Sequence, residues 1–242
     1  MSKNILRTEN LIKKYKGRKV VDGLTLEISG RSIVGLLGPN GAGKTTTFYM
    51  IAGLVRADAG TVTLNGEDIT AMPMHERAIK GITYLPQEPS AFRKLNVEEN
   101  VKIVFEARGF SKKNMEEKTQ KLLEEMGLYH LRKNNAESLS GGERRRLEVL
   151  RALATDPVFM LLDEPFAGVD PLAIADIQDI VRDLKDKGIG VFISDHNVRE
   201  TLTVCDRAYI VNNGAILEEG SSEKIASSDL ARKIYLGKDF KL

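Results

Sequence analysis

Short apolar runs alternate with charged segments of helical period along most of the chain. Ile5 to Ile12 carries apolar positions and Val20 to Ile28 alternates apolar with polar, so the N-terminal stretch predicts strands. Ile33-Val34-Gly35-Leu36-Leu37 is a continuous apolar run that stops at a glycine-rich turn. Thr45 to Leu54 follows with a helical pattern ending near Gly53. Strand, glycine loop, helix is the beginning of an α/β unit. Thr61 to Leu64 before Asn65-Gly66 predicts a hairpin, and Ile82 to Leu85 a short strand stopped by Pro86. From about Val97 to Arg132 the pattern is helical and rich in charge.

Ser140-Gly141-Gly142 punctuates that region, and Glu143 to Leu153 is helical again. Val158 to Leu162 is fully apolar and ends in Asp163-Glu164. A helix over about Leu172 to Lys187 leads to a strand, Gly190 to Ser194, that ends in Asp195-His196. Arg207 to Asn212 and Ala215 to Glu219 flank Asn213-Gly214, a second hairpin signal. Fully apolar strands between helices imply a mainly parallel sheet covered on both faces. Ligands of such sheets sit at the carboxyl ends of the strands. The polar ends here are Gly38 onward, Asp163-Glu164 and Asp195-His196, which makes them candidates for one site.

Composition narrows the class. The 242 residues suit one large domain, and 42% hydrophobic with 29% charged residues is ordinary for a globular protein. Thirty-six Lys and Arg against 34 Asp and Glu leave a net charge of +2, which does not call for a nucleic-acid partner. The basic cluster Lys13, Lys14, Lys16, Arg18 and Lys19 reads as a solvated face. The single cysteine, Cys205, excludes an intramolecular disulfide and a cysteine-built metal cluster. Met1-Ser2-Lys3-Asn4 lacks the apolar run of a signal peptide. No apolar stretch approaches the ~18–20 residues that span a bilayer, so work at a membrane would need a membrane part from another chain.

Three elements carry the chemistry. Gly38-Pro39-Asn40-Gly41-Ala42-Gly43-Lys44-Thr45 fits G-x-x-x-x-G-K-[ST] between a predicted strand and helix. Its glycines let N–H groups point inward at phosphate oxygens, and the helix adds its N-terminal dipole. Lys44 would reach the β- and γ-phosphates, the Thr45 hydroxyl would ligate Mg²⁺, and Thr46 belongs to the same ATP-binding set. Second, the apolar strand through Leu162 delivers Asp163, to hold Mg²⁺ through water, and Glu164, a base to polarise an attacking water. Read alone, that strand end could be solvated. Third, Leu139-Ser140-Gly141-Gly142-Glu143 places a hydroxyl and two glycine N–H groups at a helix start. This is an anion cradle or simply an N-cap.

With these elements in order, the chain resembles the ATP-binding cassette (ABC) ATPases over nearly its whole length. Glu143 stands where glutamine is commoner. The resemblance implies an α/β P-loop NTPase with a mainly parallel core sheet, an antiparallel β part and an α-helical subdomain. The whole of 1–242 would be one ATP-binding domain. Its core and antiparallel part would cover about 1–86 and 155–242, and the helical subdomain about 88–154.

The resemblance also assigns roles. Tyr15, otherwise an edge-strand tyrosine, would stack on adenine. Gln87, otherwise a polar loop residue, would touch Mg²⁺ and the attacking water. His196 would contact the γ-phosphate, and Ser140, Gly141 and Gly142 would grip the γ-phosphate held by a second copy. Asp170, in Gly168-Val169-Asp170, would communicate with the opposite site. The implied cofactors are ATP and Mg²⁺, and the implied assembly is a homodimer on separate integral membrane subunits. Phe92, Arg93 and Leu95 are candidates for contact with those subunits, or else a satellite apolar cluster under a loop.

Within the family, Ser194 to Leu202 and the tail Tyr235 to Leu242 resemble the lipopolysaccharide-export branch. That implies a peripheral protein on the cytoplasmic face of the inner membrane. Branched-chain amino-acid importers and the ABC ATPases of iron–sulfur assembly are the alternatives.

Overall fold

The computed structural model describes residues 4–237 and Phe240. Met1, Ser2 and Lys3 at the N-terminus, and Lys238, Asp239, Lys241 and Leu242 of the tail, lie outside the described residues.

The chain begins with a long hairpin, β1 (Ile5–Tyr15) and β2 (Arg18–Ser29), turned at Lys16-Gly17 with φ of 49° and 80°. Alternation buries Leu6, Thr8 and Leu11 on one strand and Val21, Leu24, Leu26 and Ile28 on the other. Next come β3 (Ile33–Leu37), α1 (Lys44–Ala52), β4 (Ala59–Leu64) and β5 (Glu67–Asp68). An antiparallel sheet of order β2-β1-β4-β5 results. The Asn65-Gly66 turn is present, but the strand it leads to is only two residues long.

A short helix, α2 (Met74–Ile79), precedes β6 (Ile82–Leu85). It has no clear sequence signature and is held by Arg77. That buried guanidinium donates to the carbonyls of Met50 and Ile51 at 2.8 and 2.6 Å, of Met72 at 2.9 Å and of Thr70 at 3.0 Å. Arg77 thus satisfies last-turn carbonyls of α1, and burial lowers its pKa to about 10.

The charged region resolves into α3 (Val97–Ala107) and α4 (Lys112–Glu125), broken at Arg108-Gly109-Phe110, with a 3₁₀ turn at Tyr129–Leu131. Helix α5 (Gly141–Leu153) follows. Val97, Val101, Phe105, Leu123, Leu147 and Leu150 close a hydrophobic cluster among these helices.

The remaining elements are β7 (Phe159–Asp163), α6 (Pro171–Asp186), β8 (Gly190–Ser194), α7 (Val198–Val204), β9 (Arg207–Asn212), β10 (Ala215–Gly220), α8 (Ser222–Ser227), a short turn α9 (Asp229–Ala231) and a π-helical turn (Arg232–Leu236). They complete a second sheet of order β10-β9-β3-β8-β7-β6. Every neighbouring pair in it is parallel except β10–β9. Strands β3, β7 and β8 are buried at every residue, as runs covered on both faces must be. One covering layer is α1 with the antiparallel sheet, where Phe48 stacks on Phe192 at 4.4 Å. The other includes α6, with Ile177, Val181 and Leu184 packed on Met160, Val191 and Ile193. Cys205 lies in that layer, and burial pushes its thiol pKa up. Among the described residues no helix is long and apolar enough to cross a membrane.

Candidate functional site

The parallel register sets the site. Leu36 pairs with Ser194, and Asp163 with Ser194, so β3, β7 and β8 end side by side. The loop after β3 is closely packed. A Cβ on Gly38 would lie 2.1 Å from the Val211 carbonyl, and Gly38 has φ 152°. Gly43, at φ 104°, opens α1, and a Cβ there would lie 2.5 Å from the Val20 carbonyl. Only glycine fits at these two positions. Ala42 accepts from Gly214 N–H at 2.9 Å, which ties the loop to the β9–β10 hairpin. Asn40, Gly41 and Thr45 are exposed, and Pro39 and Thr46 half-buried.

Lys44 is buried, and its ammonium donates to the carbonyls of Gly38 at 2.7 Å and Pro39 at 3.1 Å. Burial lowers its pKa, while Glu164, Asp195 and Asp163 oppose that. Tyr84 donates its hydroxyl to Asp163 Oδ2 at 3.1 Å. Asp163 Oδ1 is buried and has no hydrogen-bond partner among the described residues, nor has Ser194 Oγ. Burial raises the Asp163 pKa, opposed by the Tyr84 hydrogen bond and, more weakly, by the nearby Ser194 hydroxyl, whose contact falls outside hydrogen-bond geometry. An unpaired buried carboxylate oxygen is costly, and a cation brought in by a ligand would satisfy it.

Glu164 follows in the left-handed region at φ 45°, with its N–H held to Ser194 O at 2.6 Å. A non-glycine residue held there carries local backbone strain. Its Oε2 stands 3.3 Å from His196 Nδ1. Asp195 is fully buried beneath them. Its Oδ2 accepts from Phe166 N–H at 2.8 Å and its Oδ1 from Asn197 N–H at 2.7 Å. Burial raises its pKa. Asp195 therefore locks the turn that presents His196 to the turn that follows Glu164. Adjacency to His196 was the sequence signal for Asp195, but its structural part was not legible.

Ser140 N-caps α5 in a closed capping box. Its N–H and hydroxyl both donate to Glu143 Oε2 at 2.8 Å, and its Oγ accepts from Glu143 N–H at 3.3 Å. Across a cleft of about 620 Å³, Ser140, Gly141 and Gly142 share the lining with Gln87, Glu164 and Asp170. Lys44, Thr45, Asp163 and His196 are not part of that lining. Tyr15 stands apart at the end of β1, 48% exposed, with the Lys13 ammonium 5.5 Å from its ring centre.

The loop carrying Phe92, Arg93 and Leu95 is built by a residue that sequence reasoning missed. Asn100, fully buried, accepts from Phe92 N–H at 2.8 Å and donates to the carbonyls of Phe92, Leu95 and Asn96. Phe92 remains 46% exposed, with the Arg151 guanidinium 4.5 Å from its ring centre. Arg93 is exposed and Leu95 half-buried. Buried Glu148 was missed as well. It accepts from Ser90 N–H at 2.9 Å and from Arg145 at 3.1 Å, tying the segment after Gln87 to α5.

Strand ends, a glycine cradle, a buried ammonium and an unpaired carboxylate oxygen suit a polyphosphate with its divalent cation. Comparison with known proteins points the same way. The ABC transporter family model matches residues 21–167. The chain is 55% identical to the lipopolysaccharide export system ATP-binding protein LptB of Haemophilus influenzae, covering 99% of this chain and 100% of that one. It is 52% identical to the protein of the same name in Escherichia coli K12, over 98% and 99%. A crystal structure of an ATP-binding cassette of an ABC transporter in its ADP conformation superposes with a TM-score of 0.87. That structure is 34% identical, over 97% of this chain and 99% of that one.

Proposed function

The chain belongs to the ABC transporter ATP-binding family, and from that premise we propose that it hydrolyses ATP to power lipopolysaccharide extraction and export from the inner membrane. The observation that carries the catalytic reading is the meeting of the phosphate loop, Asp163-Glu164 and Asp195-His196 at neighbouring strand ends. The names of the relatives favour export over amino-acid import and over iron–sulfur assembly.

In this reading residues 1–86 and 155–242 form the nucleotide-binding part and about 88–154 the helical subdomain. Tyr15 stacks on adenine. Gly38, Pro39, Asn40, Gly41, Ala42, Gly43 and Thr46 surround the phosphates, and Lys44 turns from the loop carbonyls to the β- and γ-phosphates. Thr45, Gln87 and, through water, Asp163 would hold Mg²⁺, which supplies charge neutralisation at the phosphates when bound. Glu164 accepts the proton of the attacking water and Gln87 orients it. His196 donates to the γ-phosphate while its other side faces Glu164.

Ser140, Gly141 and Gly142 of a second copy close the site, so the working unit is a homodimer and ATP is its glue. Asp170 lies beside that junction. Phe92, Arg93 and Leu95 form the surface on which separate membrane subunits dock. The protein then works at the cytoplasmic face of the inner membrane.

The test is Glu164→Gln. It should cut hydrolysis by about 10²–10⁴-fold while ATP binding persists and a dimer accumulates. Turnover at the wild-type rate would sink the catalytic assignment. For the transported cargo, the chains that copurify decide: export requires integral membrane partners, and a periplasmic amino-acid-binding protein among them would favour import instead.

A further inference from the structure

The last described turn of the chain supplies no residue to the site described above, yet it packs beside that site. Residues Arg232–Leu236 form a π-helical turn, closed by Gly237 N–H donating to Arg232 O at 2.9 Å. The Tyr235 ring packs onto a hydrophobic cluster that includes Leu37, Leu202 and Ile210, with Val198 packed there too. Two of these neighbours bear directly on function. Leu37 is the residue before Gly38, where the phosphate loop begins, and Val198 opens α7 just after His196. The turn therefore braces both the entry of the phosphate loop and the helix behind the γ-phosphate histidine.

The Tyr235 hydroxyl is the unusual part. It is buried and has no hydrogen-bond partner among the described residues. Buried phenol hydroxyls ordinarily have one, and an exception calls for a functional or ligand-state explanation. The Gly38 N–H acts on the phenol oxygen and lowers its pKa against burial, although the contact falls outside hydrogen-bond geometry, and Asp195 and Glu164 are near enough to act on the phenol as well. Burial pushes its pKa up to about 12, so it stays a neutral hydroxyl at physiological pH. Meanwhile Lys44 donates to Gly38 O and Pro39 O. When ATP arrives, that ammonium must leave for the phosphates, and the Gly38–Pro39 segment loses its internal tether.

We propose that Tyr235 is a positioning residue for the nucleotide site, whose hydroxyl takes the Gly38 N–H and holds the phosphate loop in its binding conformation once Lys44 has turned to the nucleotide. The inference rests on the ATPase reading. It acts through the loop, so it belongs to binding more than to the chemical step. Preorganising a loop raises affinity by removing the cost of ordering it.

Tyr235→Phe tests this in the full chain assembled with its membrane partners. It keeps the ring and removes only the hydroxyl. A lost neutral hydrogen bond corresponds to about a 3- to 10-fold effect. KM for ATP should rise by that factor with a smaller change in kcat. In a Glu164→Gln background, where hydrolysis does not intervene, Kd for ATP should rise by the same factor. Tm should not fall, because an unpaired buried hydroxyl contributes no stability to the nucleotide-free fold. Wild-type KM and Kd would overturn the proposal. So would a KM increase accompanied by a matching fall in Tm, since that marks packing alone. Active turnover by the Glu164→Gln single variant would instead overturn the assignment of Glu164 as the base, and absence of ATP hydrolysis by the wild type would overturn the ATPase reading, whatever Tyr235 does.

Discussion

Two regions of the molecule handle the polar groups at the ends of their elements in opposite ways. At the strand ends, Lys44, Asp163 and Asp195 are buried, and burial shifts the pKa of each against its charged form. Asp163 Oδ1 and Ser194 Oγ are left without partners among the described residues. In the helical region, local partners satisfy the helix starts. Asn96 and Ser140 close capping boxes and Ser111 caps α4. Charges such as Lys133 and Glu98, 2.7 Å apart, pair near the surface. The strand ends hold interactions in reserve for a ligand. The helix starts are already satisfied, although Thr119 Oγ1, Arg145 Nη2, Arg146 Nε and Arg151 Nε are buried elsewhere in the region without hydrogen-bond partners among the described residues, so Ser140 can bind phosphate only by giving up its bond to Glu143. Under the proposed function, Lys44 and Asp163 at the strand ends should govern affinity, and Ser140 in the helical region should act on turnover and leave affinity in place.

The largest break in that comparison comes from Lys44→Ala. Charge-assisted hydrogen bonds contribute about 1.5–3 kcal/mol each, and Lys44 would make them to two phosphates. ATP affinity should fall by roughly 100-fold or more, read by equilibrium binding of a fluorescent ATP analogue. Unchanged affinity would mean that the ammonium stays on Gly38 O and Pro39 O with nucleotide bound. Ser140→Ala should have the complementary effect. Turnover should drop by about 10-fold, the size of one phosphate contact, while affinity at protein concentrations that keep the chain monomeric stays within about twofold. Equal loss of affinity in both variants would erase the distinction between the regions.

Asp163→Asn sharpens the contrast through stability. Burial raises the Asp163 pKa in the folded state. The group's contribution is therefore most favourable below its unfolded pKa and is lost as pH rises through the folded value. At neutral pH the carboxylate is a burden that a ligand cation would relieve. Removing the charge should raise the ligand-free Tm by a few degrees, given about 1–3 kcal/mol for an unsatisfied buried group. The gain should shrink as pH approaches the ordinary aspartate range near ~4. The same variant should lose the Mg²⁺-dependent part of ATP stabilisation. A lower Tm at pH 7 would show that Asp163 is already satisfied in the free protein.

The contrast also explains what could be read from the sequence. The phosphate loop and Asp163-Glu164 were legible because their chemistry depends on local backbone: Gly38 and Gly43 must be glycine, and an apolar strand must end where its carboxylate appears. Helix α2 was not legible. Its six residues lack an apolar period, and its stability comes from Arg77 donating to carbonyls of α1. The break between α3 and α4 was blurred because charge continues through Arg108 and Lys112 while only Gly109 marks the turn. Asn100 read as one more polar helix residue, whereas its buried amide organises the Phe92–Asn96 loop. The tail from Tyr235 to Leu242 stood out as a whole, but only the packing around Leu37 brings Tyr235 to the phosphate loop. In each case what escaped was a side chain satisfied, or left unsatisfied, by a partner distant in sequence.

The smallest effect belongs to the cap of α3. Asn96 Oδ1 accepts from Glu99 N–H at 2.8 Å, and Glu99 Oε2 accepts from Asn96 N–H at 2.9 Å. Asn96 O also accepts from the buried Asn100 side chain at 3.0 Å, a backbone contact that a side-chain truncation leaves in place. Asn96→Ala removes the cap alone and should cost about 1 kcal/mol, lowering Tm by about 2–4 °C for a chain of this size. The lost interaction is exposed and lies away from Lys44 and Asp163, so ATP affinity should stay at the wild-type value. Calorimetry and nucleotide binding on one preparation would read both quantities. A change in affinity here would mean that the helical region feeds back on the strand ends within a single chain, and that their division of labour begins only after ATP is bound.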